Sequence, residues 1–182
     1  MGSRLWIVKH LRIMGILLVA LLGAECTGGC KKPAPAAAPP PIPGLPAAAQ
    51  PKLPTMKLWL GAEQMDAEMA LSPLEQQTGM MFRTNLAENA GMLFVRPMPE
   101  RASFWMMNCP LPLSAAYIDP EGVILEIHAL QPFNTNSVVS ASDHVQFVLE
   151  TSQGWFARHN VSAGMAVRTE HGSLADTFLR RR

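Results

Sequence analysis

Only 16% of the 182 residues are charged, so the side chains able to do chemistry stand out against an apolar background. Three polar residues interrupt apolar runs: Arg83 after Met80, Met81 and Phe82, Asn108 after Phe104 to Met107, and Glu150 after Phe147, Val148 and Leu149. Burying such groups unpaired is costly, so each must satisfy a neighbour or face a ligand. In the plainer reading Arg83, Asn108 and Glu150 pair with one another or with the backbone. In the sharper one Arg83 and Asn108 line a pocket walled by Phe104 and Trp105. Convergent donors and aromatic surface would there hold a small anionic or sugar-like ligand.

Cys109 is the one thiol outside the N-terminal Cys26 and Cys30. As a nucleophile it would need a base such as His128 and a depressed pKa; a buried structural thiol is the plainer reading. Ten methionines fall at or after Met56, including the pairs Met80-Met81 and Met106-Met107. Thioethers invite copper(I), yet neighbours on a strand point to opposite faces, which favours core filling. His128, His144, His159 and His171 show no HxH, HExxH or close Cys-His spacing, so neither a metal nor another cofactor is expected. An enzyme would need paired titratable groups, for which Asp119, Glu150 and His128 are the material.

Charge narrows the partners. Between Met56 and Leu179 six basic residues stand against thirteen acidic ones, a net of minus seven. Nucleic-acid binding needs clustered positive charge, so no nucleic-acid partner is expected.

The N-terminus reads as an address. Arg4, Lys9 and Arg12 precede the uncharged Ile13 to Ala24. That stretch is well short of the roughly 20 residues a spanning helix needs and fits a signal peptide's apolar region. Gly28, Gly29 and Cys30 then resemble a bacterial lipoprotein processing site. Thr27 stands where that pattern usually has Leu, and Glu25 before Cys26 makes Cys26 the poorer candidate. The resemblance implies a signal peptide over residues 1–29, lipidation of Cys30 and anchoring to the membrane through acyl chains. Lys31 after the Cys implies the outer membrane, with the protein facing the periplasm. Pro33 to Pro54 holds nine prolines and seven alanines, so residues 30–55 read as a semi-rigid tether.

The elements that must position the polar residues lie in a single domain over residues 56–182, large enough for its own core. Met56 to Leu60 and the alternation of Met65, Ala67 and Met69 predict a hairpin around Gly61. Ser72, Pro73 and Glu75 predict a capped helix reaching about Phe82. Strands are predicted at 92–95, 103–107, 115–118, 123–130, 145–151 and 164–169. Asp119 to Gly122 turns between two of them, and a short helix is predicted around 154–159. Seven or eight short strands predict a mostly β, antiparallel sandwich or barrel with one or two short helices.

Taken in order, TGMMFR (78–83), GMLFV (91–95), SFWMMNCPLPL (103–113), the turn from Asp119 with Val123 and Ile124, and FVLE (147–150) resemble the bacterial and archaeal domain of unknown function 192 family. The resemblance covers Leu58 to Val167 and implies a compact, jelly-roll-like β domain, commonly exported, with no established activity. The family pattern has Thr and Asp where this chain has Cys109 and Ser114. If that Asp did chemistry in relatives, Ser114 could not replace it as a proton acceptor.

The expectation is an envelope-anchored lipoprotein domain that binds a small ligand or partner rather than transforming a substrate. The alternatives are a structural or interaction domain of the cell envelope, with Trp59, Trp155 and Phe156 as its apolar patch, or less readily a hydrolase or copper(I)-binding protein.

Overall fold

The computed structural model describes residues 43–180; the leader-like segment and Cys30 lie outside them. Strands β1 (Thr55–Leu60) and β2 (Glu63–Ala70) form the expected hairpin. Helix α1 (Pro73–Thr78) starts on a complete capping box. Ser72 Oγ accepts the Glu75 N–H at 3.3 Å, and the Glu75 carboxylate accepts the N–H groups of Ser72 at 2.7 Å and Leu71 at 2.9 Å. The helix ends a turn before the expected Phe82, because Gly79 and Phe82 take φ values of 46° and 62°.

The chain continues through β3 (Ala90–Glu100), β4 (Ser103–Phe104), β5 (Leu113–Ile118), β6 (Ile124–Leu130), β7 (Val138–Val139) and β8 (Val145–Ser152). Helix α2 (Trp155–Arg158), β9 (Val167–Thr169), β10 (Gly172–Ser173) and a π-helical turn at Ala175–Leu179 complete it. Eight strands form one sheet in the order β10-β9-β1-β2-β3-β8-β5-β6, with β4 and β7 as a separate ribbon. The mostly β expectation holds. The sheet is mixed rather than wholly antiparallel, since β2 and β3 run parallel, and it does not close into a barrel. The crossover from Leu71 to Asn89, with α1 inside it, supplies the length a parallel pairing requires.

The strand expected over 103–107 stops at Phe104. Beyond it the chain turns: the Cys109 N–H donates to Met106 O at 3.1 Å, and Asn108 sits at φ 56°, a left-handed conformation that Asn tolerates better than most residues. Strands β5 and β8 are buried along nearly their whole length, so both faces of the sheet are covered. Period-two alternation divides their side chains. Leu93, Ala116, Ile118, Phe147 and Leu149 face one core with Trp155 and Phe156. Met92, Phe94, Ala115, Tyr117 and Val148 face the other with Met106 and Cys109. Trp155 and Phe156 are thus interior and cannot supply an exposed patch.

The end of the segment read as tether lies against the domain. Gln50 Nε2 donates to the carbonyls of Glu75 at 3.2 Å and Gly79 at 2.9 Å, and Leu53 packs on the second core. The Gly79 carbonyl, just past the end of α1, thereby gains a partner, and the Glu75 carbonyl gains a second one beside the Gly79 N–H.

Candidate functional site

The alternation that turns Val148 into the second core also turns Glu150 there, two residues on. Glu150 is 4% exposed and reaches a cavity of about 290 Å³ between the sheet and the segments covering it. Gly91 lets β3 run close to β8, because a Cβ there would fall 2.6 Å from the Glu150 carbonyl oxygen. Phe94 and Phe104 stand edge to face at 5.0 Å on one side, and Trp105, 40% exposed, joins the lining. Met80, Met81, Met107 and Cys109 add sulfur-bearing wall. The last turn of α1 contributes Gln76, Gln77, Thr78 and Gly79, and β3 contributes Arg96. A side chain on Gly79 would meet the Phe94 ring at 3.2 Å, and its φ of 46° favours glycine in any case.

Burial pushes the Glu150 carboxyl up to about 8, with no donor or cation offsetting it. The carboxyl is therefore mostly protonated at neutral pH. Burial also pushes the Cys109 thiol up to about 12; a hydrogen bond from the Leu111 backbone pulls the other way, and the Glu150 charge adds to the rise. A nucleophile would need the opposite shift. Tyr117 is likewise pushed up, by burial and by Glu150, and its hydroxyl donates to Val138 O at 2.7 Å.

Phe104, Trp105 and Glu150 come together at this cavity, whereas Arg83 and Asn108, expected to line a pocket with Phe104 and Trp105, do not line it. Arg83 makes a bidentate pair with Glu68, at 2.6 and 2.7 Å, and borders a different depression beside Asn85 and Asp66. Burial raises Glu68, but the bonds from Arg83 and from the Leu53 N–H, at 2.7 Å, outweigh it and leave the carboxyl below its ordinary range. Asn108 uses its carbonyl to accept the Phe82 N–H at 2.7 Å, and its side-chain oxygen is buried without a partner. Both residues serve the covering loops, which meet through this bond.

The material for an enzyme disperses. Asp119 Oδ1 accepts the Val123 N–H at 2.7 Å within its turn, and His128 pairs with Glu126 at 2.7 Å. Only Glu150 of that trio reaches the cavity. Ser114 accepts the Gly154 N–H at 3.0 Å, just before α2, and also lies outside the cavity lining. Gln76, Gln77 and Arg96 are cavity residues that no sequence signal marks.

The site defines a class of protein: a mostly β domain with an aromatic-walled cavity floored by one buried carboxyl. The chain belongs to the domain of unknown function 192 family, described as an uncharacterized ACR, whose model matches residues 57–169. A crystal structure from Sinorhizobium meliloti 1021, provisionally described as a transcription regulator, is 28% identical with a TM-score of 0.63, covering 66% of this chain and 98% of its own. A protein of unknown function from Novosphingobium aromaticivorans DSM 12444 is 30% identical with a TM-score of 0.58, covering 78% of this chain and 99% of its own. No curated protein matches the chain.

Proposed function

We propose that this domain is a small-ligand-binding module without catalytic chemistry, carried on a lipoprotein anchored through Cys30 in the outer membrane and facing the periplasm. The observation that carries the binding reading is Glu150: a carboxyl 4% exposed, at an aromatic-walled cavity, with burial as the whole of its pKa shift. A protein retains such a group at a cost to its stability, and a ligand can return that cost. Arg83, the expected anchor for an anion, is engaged by Glu68. The regulator description of the Sinorhizobium protein is not carried over, because six basic against thirteen acidic residues between Met56 and Leu179 cannot neutralise a phosphate backbone.

Thermal shift against small sugars, carboxylates and amines tests the reading, since a ligand that prefers the native state raises its melting temperature. A shift lost in Glu150→Gln supports it; no shift across the panel ends it. For the anchor, Cys30→Ser should leave the membrane fraction, and a variant that stays there refutes lipidation. A protein partner is the second reading, favoured by Leu71, Leu74 and Met98, each more than half exposed. Crosslinking on intact cells that captures nothing at these positions would remove it.

A further inference from the structure

We propose that the ligand of this cavity is a small organic cation bearing a methylated ammonium group, with Glu150 as its counter-ion and Phe104 and Trp105 as its aromatic walls. The inference rests on the binding reading above and names the ligand class from what the cavity presents.

Most of the donors that line the cavity are already engaged within the fold. Gln76 Nε2 donates to Val95 O at 2.7 Å, Gln77 Nε2 to Gly44 O at 3.4 Å, and Thr78 Oγ1 to Leu74 O at 2.8 Å. Arg96 is engaged by Glu100 through Nε at 2.9 Å. Among the lining side chains this leaves the Ser103 hydroxyl, the indole N–H of the partly exposed Trp105 and Arg96 Nη1 as donors not otherwise engaged. A sugar or an anion would need several donors to replace its hydration. A methylated ammonium needs none: it takes negative charge and polarisable surface, which the carboxyl, the aromatic faces and the methionine sulfurs offer. The excess of acidic residues between Met56 and Leu179 draws cations toward the domain as well.

Pairing requires Glu150 to ionise, so binding releases a proton at neutral pH. The titratable groups facing Glu150 leave that step to it alone. Cys109 and Tyr117 are both pushed upward and stay neutral, and Arg96 on β3 is paired with Glu100.

The test is titration calorimetry of the full chain with choline, a cation that does not itself titrate near neutrality, beside dimethylbutanol, its uncharged carbon isostere. Choline should bind and the isostere should not. Choline affinity should be about tenfold tighter at about pH 9 than at about pH 7, because a carboxyl of pKa about 8 is roughly one-tenth ionised at the lower pH. Glu150→Gln should abolish both the binding and its pH dependence. The wild-type comparisons stand on their own should that variant fail to fold. Equal binding of the isostere, or a flat pH profile, overturns the cation and leaves the pocket reading intact, as does silence with choline while a sugar or carboxylate raises the melting temperature. Silence with choline and with the whole thermal-shift panel overturns both.

Discussion

Replacing Glu150 by Gln should make the protein more stable at alkaline pH, and the size follows from the burial of one carboxyl. In the unfolded chain a Glu side chain ionises near its ordinary value of 4.5, whereas in the fold Glu150 holds its proton to about 8. Its contribution is fully present below the unfolded value and is lost as pH rises, because the unfolded state sheds the proton first and draws the equilibrium toward itself. The loss runs from about pH 4.5 to about pH 8 and then levels off. A gap of about 3.5 pH units at about 1.4 kcal/mol each gives about 5 kcal/mol in total, of which about 3 kcal/mol is already lost at neutral pH. Glutamine keeps nearly the same shape but has no proton to lose. Urea unfolding of both proteins from about pH 5 to about pH 9, without added ligand, should show wild type falling relative to Glu150→Gln by several kcal/mol. Other titrating groups cancel in the difference. Parallel profiles, or a variant that is the weaker protein at about pH 9, would refute the argument that this carboxyl is buried and unpaired.

Three further outcomes separate the site from its scaffold. Arg83→Ala leaves Glu68 buried without its bidentate partner and should cost about 3 kcal/mol in urea unfolding; a loss below about 1 kcal/mol would show the pair to be dispensable. The Glu68 contribution should also vanish on acidification, since its lowered carboxyl stabilises the fold above its ordinary pKa and loses that effect as pH falls through the folded value. Cys109, 3% exposed and with its thiol held up to about 12, should resist iodoacetamide until the protein unfolds, as read by mass spectrometry; rapid labelling of the native protein would contradict its burial.

Much of the fold was legible because its signals are local. The Ser72 and Glu75 capping box, the hairpin of β1 and β2, the Asp119 turn and the runs that become β5, β6 and β8 each depend on residues a few positions apart. The family motifs ordered these pieces and pointed to a β domain. The parallel pairing of β2 with β3 was not legible, because strand partners are chosen by contacts distant in the chain. The 103–107 strand failed for a related reason: FWMM is apolar enough for a strand, but the left-handed Asn108 and the short β4–β7 ribbon turn it into a covering loop. The strand argument for opposed Met106 and Met107 thus lost its basis, although only Met107 lines the cavity.

For the site, residue type alone determined that Arg83, Asn108 and Glu150 could not be buried without consequence. Tertiary structure decided what each consequence was. Arg83 found a carboxylate fifteen residues earlier in the chain, Asn108 became a turn, and Glu150 was left at the cavity with Phe104 and Trp105. The physical reason is that the energy of a polar group depends on its surroundings, and those surroundings are assembled from distant segments only when the sheet closes over its cores.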